Sequence, residues 1–226
     1  MSALLLRLEG PLQSWSGDRD RFRNVVTARQ PSKSGVVGLL AAACGVARTD
    51  GAAIGKLAAC PLHVREDRPG DVLRDYHTVG GLFDAQVRQT KTAVTERYYL
   101  ADASFLAALE GPEGFLRELA DALYEPVWPI YLGRKACVPA CPVLVSLETR
   151  SAEECLRLWP RAERAAEGML RLVLECAATA PGAVATDDVP SVFEPRQAWY
   201  GRRYVETAWT ASPPLSPFAR TKRRSV

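Results

Sequence analysis

Three groups of residues have types and spacings that could do chemistry. Lys33-Ser34 stands before Gly35, Gly38 and an apolar run, so a cation and a hydroxyl open a helix whose free amides and dipole favour an anion. The run is not a G-x-x-x-x-G-K-[ST] nucleotide loop, because Thr27 and Ser32 hold the two glycine positions. Gly35 and Gly38, three residues apart, mark a helix face that something approaches closely, either another backbone element of the same domain or a ligand phosphate. Tyr76-His77 is the second group; an imidazole beside a phenol suits either metal-free RNA cleavage or plain binding. The third, Cys137-x-x-x-Cys141, is half of a zinc site. Only His63 and His77 exist to complete it, so the six cysteines read as free thiols of a reducing cytoplasm, with no metal and no cofactor.

Charge points to a polyanion. The net charge is only +3, but residues 1–35 hold six Lys/Arg against three Asp/Glu and residues 190–226 hold seven against two. The middle is reversed: 101–126 holds one basic and six acidic side chains, and 151–189 holds four and seven. One positive face and one solvated negative face are expected. Of the 29 cations 24 are arginine, whose planar fork grips phosphate in pairs and stacks on bases.

The elements that must position these residues follow from periodicity. Residues 3–8 read as a buried strand ending at Gly10-Pro11. Gln13-Ser14-Trp15 with Arg19, Arg21, Arg23 and Arg29 fills a loop, which either meets a nucleic-acid strand by charge and stacking or is solvated with Trp15 folded onto the core. A helix follows, capped by Ser32 or Ser34 and stopped at Gly45; its length of about 17 Å is too short for a bilayer. Residues 61–66 form a second strand. From 67 to 99 no apolar pattern anchors the chain, and Gly80-Gly81 lies near the middle of this insert, which reads as a projecting β-hairpin. Residues 103–109 fit strand or helix. Residues 113–124 are a clear amphipathic helix, and 143–147 a further strand. The order β, α, β, insert, β, α, β is the ferredoxin-like pattern. Beyond it Ser151-x-x-Glu154 caps a short helix, 170–176 alternates as a half-buried strand, and the Pro-rich, Arg-rich end has no apolar pattern. The K/R-G-F/Y-G/A-F-V-x-F/Y strand motif of the standard RNA-recognition module is missing, so any RNA must be held by loops and the insert.

Six stretches in register resemble the CasD family, the subunit of the type I-E CRISPR complex Cascade that holds the 5′ end of the guide RNA. They are Leu6-Arg7-Leu8-x-Gly10-Pro11-x-Gln13-x-Trp15, Pro31-Ser32-Lys33-Ser34-Gly35-x-x-Gly38, Leu73-Arg74-Asp75-Tyr76-His77-Thr78-Val79, Tyr99-Leu100-x-Asp102-Ala103-Ser104-Phe105, Pro129-x-Tyr131-Leu132-Gly133-Arg134-Lys135-x-Cys137 and Pro195-Arg196-Gln197. The resemblance implies an α+β fold: a ferredoxin-like (RRM-like) palm over 1–66 and 100–150 and a thumb hairpin over 67–99. A β-rich C-terminal extension over 151–210 is expected to pack on the palm, ahead of a disordered basic tail over 211–226. It implies a non-catalytic cytoplasmic subunit that clasps the crRNA 5′ handle in antiviral defence. CasC backbone subunits and the large subunit CasA are its expected partners, target DNA is met through the complex, and no membrane is involved. The RNA-binding candidates are Gln13, Trp15, Lys33, Ser34, Arg74, Tyr76, His77, Lys91, Tyr131, Arg134, Lys135 and Arg196. Two alternatives stand beside this reading. One is a metal-independent endoribonuclease that processes CRISPR repeat RNA, with His77, Tyr76 and Lys33 as suspects; the other is a purely structural interaction protein.

Overall fold

Ser2–Glu9, sequence SALLLRLE, forms β1 and buries side chains on both of its faces, as a strand covered on two sides must. The structure, a computed structural model, describes residues 2–20, 24–80, 93–162, 168–194 and 199–214. After β1 come β2 (Leu12–Gln13), β3 (Ser16–Asp20), β4 (Asn24–Thr27), α1 (Lys33–Ala43), α2 (Gly51–Ala58), β5 (Leu62–Arg68), β6 (Asp71–Val79) and β7 (Ala93–Ala101). The second half holds β8 (Ser104–Gly111), α3 (Glu113–Tyr124), β9 (Leu144–Glu148), α4 (Ala152–Leu158), β10 (Met169–Cys176), β11 (Val184–Pro190) and β12 (Tyr200–Ala211).

Seven strands make one sheet in the order β11-β12-β10-β5-β8-β1-β9, and its described pairings are all antiparallel. Leu4, Leu6 and Leu8 point to the face covered by α1, α2 and α3, where they meet Val36, Leu40, Ile54, Leu116 and Leu119. Ala3 and Leu5 point the other way, onto Cys155 and Leu156 of α4. A buried arginine, a half-buried one and one carboxylate seal that second face. Arg65 pairs with Asp67 at 2.6 Å and also donates to the carbonyls of Leu156, Trp159 and Pro160, while Arg7 reaches the same carboxylate at 2.5 Å. Burial pushes the Asp67 carboxyl up, but hydrogen bonds and charge from Arg65 and Arg7 outweigh it and hold the group below its ordinary range.

Several expected elements are present: β1, the helix capped by Ser32 (which accepts from the Gly35 amide at 3.2 Å), α3, the Ser151-capped α4, and β10. The segment 103–109, open between strand and helix, is strand from Ser104 onward, within β8. The insert forms a long antiparallel pair running from Asp71↔Ala101 to Val79↔Ala93; its tip, residues 81–92, lies outside the described residues. β7 does not stand alone with β6, because its other edge pairs with β2 and, in parallel, with β4, giving a second sheet β2-β7-β4-β3.

The C-terminal extension meets the palm in two ways: α4 lies on the sheet face that carries Ala3 and Leu5, and β10 pairs edge-on with β5, with β12 and β11 continuing the same sheet. One expected bound changes, because the chain is still paired at 211, where the tail was expected to begin. Ala211 ends β12, the Ser212 amide donates to the Gly168 carbonyl at 2.7 Å, and the Pro214 carbonyl accepts from Arg161 at 3.2 Å. Residues 215–226 lie outside the described residues.

Candidate nucleic-acid interface

The loop after β1 is folded inward by its own side chains. Gln13 is buried; its amide donates to the carbonyls of Leu8 at 3.1 Å and Ala103 at 2.8 Å and accepts from the Trp15 indole at 3.0 Å. Trp15 is buried too; its amide donates to the Thr27 hydroxyl at 2.9 Å and its carbonyl accepts from the Ala28 amide at 3.1 Å. Its ring lies against α1, where a Cβ added to Gly35 would come within 2.7 Å of it. What the Gly35 face admits is therefore an indole of the same chain, and Gly38 faces the Phe193 ring.

The Tyr131-Leu132-Gly133-Arg134-Lys135 loop rests on this base. The Ser14 amide donates to the Leu132 carbonyl at 3.0 Å, and Gly133, at φ +93°, passes so near that a Cβ there would lie 1.7 Å from the Ser14 oxygen. Only glycine fits such a passage. Bonds from Leu132 to Cys137 and from Cys137 to Arg134 close the loop. The Arg134 guanidinium then lies over the Tyr99 ring, 4.8 Å from its centre, while Lys135 beside it is exposed.

Tyr99 belongs to β7, so the loop is continuous with the hairpin. Directly opposed residues of an antiparallel pair share a face. The register puts Leu73↔Tyr99, Asp75↔Arg97 and His77↔Thr95 on one face, and Arg74↔Tyr98 and Tyr76↔Glu96 on the other. The first face carries Arg134-Tyr99, then Arg97, then His77 hydrogen-bonded to the Asp75 carboxylate. On the second, Arg74 pairs with Glu96, holding that carboxyl below its ordinary range, and Tyr76 is 58% exposed. Tyr99 itself is buried, so the exposed groups are Arg97 and His77 on the first face and Arg74 and Tyr76 on the second; such cations, an imidazole and an aromatic along a ribbon suit a single strand of nucleic acid, by phosphate pairing and base stacking.

The family model described as CRISPR-associated protein (Cas_Cas5) matches residues 3–206. The chain belongs to the Cas5 family. It is 35% identical over 159 residues to the CRISPR system Cascade subunit CasD of Escherichia coli (strain K12), which spans 64% of this chain and 70% of that protein. Its fold is similar to a chain of a solved CRISPR RNA-guided surveillance complex (TM-score 0.78, 35% identity, 93% of this chain and 91% of that one). It is similar also to a structure described as Crystal structure of Cas protein (TM-score 0.73, 36% identity, 95% and 99%).

In this Cas5 chain the candidates named from sequence separate by burial. Gln13, Trp15, Lys33 and Ser34 are interior. Lys33 in particular is spoken for: its ammonium binds Glu175 at 2.7 Å, and its amide, the helix-start donor expected to meet phosphate, donates to Asp188 at 2.7 Å. Arg203 completes the set, bonding Asp188 at 2.6 Å and Glu175 at 3.2 Å. Two carboxylates from β10 and β11 thus fill the place at the start of α1 that an RNA phosphate would take. Tyr131 and Arg134 are half-buried at the surface loop, and Lys135, Arg74, Tyr76 and His77 are exposed. Lys91 and Arg196 lie outside the described residues. Sequence reasoning did not single out Tyr99, a buried core ring that carries the Arg134 guanidinium; the signal was an aromatic closing the hairpin in a motif already quoted. Among the described residues no group of three or more His, Cys, Asp or Glu could hold a metal ion, and no helix is long and apolar enough to cross a membrane.

Proposed function

We propose that this Cas5 chain is the subunit of a Cascade-type, type I-E CRISPR interference complex that clasps the 5′ handle of the guide RNA. It holds CasC backbone subunits and the large subunit CasA around that end. The observation that carries the reading is a fold shared, at 35% identity, with a chain of an RNA-guided surveillance complex over 93% of this one. The strand order β5-β8-β1-β9, with α1 after β1 and α3 before β9, supports a ferredoxin-like palm, and the β6-β7 pair supports a thumb. In such a palm the sheet face opposite α1 and α3 is the one RNA-recognition modules use. Here α4 covers it. RNA is therefore held at the loop and hairpin, on the face carrying Arg134, Arg97 and His77, with Lys135 and Tyr131 at its edge.

A second reading draws on one contact. The His77 imidazole bonded to Asp75 is oriented as a general base of an endoribonuclease would be. One experiment separates the two: the protein, alone and in the assembled complex, is mixed with end-labelled repeat RNA in chelator and run on native and denaturing gels. The clasp predicts a shifted, uncut RNA with which a scrambled handle does not compete. Cleavage abolished in His77→Ala would replace the clasp by the nuclease.

A further inference from the structure

Away from the hairpin, the chain leaves α3 in an exposed run, Tyr124-Glu125-Pro126-Val127-Trp128-Pro129. Three large apolar side chains stand out of it, Tyr124 at 86% exposure, Val127 at 63% and Trp128 at 44%. The run is pinned rather than loose. The Val127 amide donates to the Ala43 carbonyl at 2.9 Å and the Trp128 amide to that of Ala42 at 3.2 Å, and Val127 covers Gly45, where a Cβ would meet it at 3.0 Å. The rim is acidic. Glu118 and Asp121 on α3 and Glu125 at its C-terminal cap follow at intervals of three and four, and Glu118 is near enough to Cys44, beside Gly45, to help burial push that thiol up. The C-terminal end of α1, the negative end of its dipole, is in the same place with no basic residue in its last turn. Arg117 on α3 is paired with Glu113; Arg48 lies beyond Gly45.

Exposed aromatics on a fixed backbone are what interface hot spots are made of, and an acidic rim repels phosphate. We propose that the Tyr124–Trp128 run is a docking site for another protein subunit of the same assembly, one presenting a basic rim around an apolar pocket. The inference rests on the reading of the chain as a complex subunit, and it places protein and guide RNA on separate surfaces of the molecule.

The test uses complexes assembled from co-expressed subunits and guide RNA, weighed by native mass spectrometry. Tyr124→Glu and the pair Glu118→Lys/Asp121→Lys change exposed side chains, and unchanged melting of each purified chain confirms folding. Expected is a particle that keeps the guide RNA but loses one protein subunit at least tenfold faster than wild type. For the charge reversal the defect is larger in 50 mM than in 500 mM salt. A full complement of subunits dissociating at the wild-type rate overturns the proposal, and so does loss of guide RNA with every protein retained. A wild-type chain that enters no complex at all instead overturns the underlying reading, a result distinct from either.

Discussion

Arg134 and Lys33 were named together from sequence as RNA contacts, and their surroundings now set them apart. Arg134 is half-exposed on top of the buried Tyr99 ring, whereas the Lys33 ammonium is buried against Glu175. Arg134→Ala is expected to weaken handle RNA binding by about 1.5–3 kcal/mol, the range for a charge-assisted hydrogen bond, with little change in melting temperature. Lys33→Met is expected to do the opposite, because it leaves half-buried Glu175 with one partner fewer, at a cost of about 1–3 kcal/mol of stability. Filter binding and thermal melts on the two variants measure both quantities, and equal effects on RNA affinity would contradict the assignment. Gly133 is a third case. Its Cβ would collide with the Ser14 carbonyl at a φ that already disfavours side chains, so Gly133→Ala is expected to cost about 2–4 kcal/mol and to carry the Arg134 loop off Tyr99. A variant with wild-type melting and RNA affinity would show that the loop gives way without consequence. Residue types alone could name Lys33, Ser34, Gln13 and Trp15 as polar or stacking groups. They could not show that these meet each other and the core, since their partners (Leu8, Ala103, Gly35, Glu175, Asp188) are supplied by folding.

At the scale of elements, what could be read from sequence was what announces itself within one segment. β1 and β10 show apolar runs or alternation, α1 and α4 show serine caps, and α3 shows its apolar stripe, so each was legible. α2 was not, because Gly51 and Gly55 weaken a helix whose stability comes from packing Ile54 and Leu57 into the core. β11 was missed because Val184–Pro190 carries two aspartates on an edge strand, with Asp188 inside and Asp187 outside paired with Arg202. That Asp188 tests how the last three strands are held. It binds Arg203 and the Lys33 amide, tying β11 and β12 to the start of α1. Asp188→Ala is expected to raise hydrogen exchange in β11 and β12 well above that in β1 and β8. A uniform change across all strands would mean that the sheet opens only as one unit.

For the molecule as a whole, stability should fall in two stages as the solution is acidified. His63 is buried on the α4 face, and among the described residues neither ring nitrogen has a hydrogen-bond partner. Burial lowers its affinity for a proton; Glu110 of β8, Glu175 of β10 and Glu153 of α4 oppose this, and Arg203 of β12 adds to it. The unfolded chain therefore takes up that proton first, and stability drops below about pH 6.5, by at most about 1.4 kcal/mol per pH unit. Asp67 acts in the same direction lower down: its carboxylate is favoured in the fold, so its contribution is full above about pH 4 and is lost as acid protonates it. Urea melts between pH 4.5 and 7.5 should show the first slope in wild type and not in His63→Gln; an unchanged slope would place its origin elsewhere. The overall class, α+β with a mostly antiparallel sheet, was legible from the order of patterns, but the merging of the last three strands into the main sheet was not, because pairing between distant segments leaves no local trace. Distance along the chain also governs how the sheet is made. β1 lies between β8 and β9, and its Glu9 pairs with Ser104. At a synthesis rate of about 5–20 residues per second, about 100 more residues take roughly 5–20 s to follow it off the ribosome. Throughout that interval the most apolar strand of the nascent chain has no neighbour, which makes Leu4, Leu5, Leu6 and Leu8 a natural target for chaperones before they are the middle of anything.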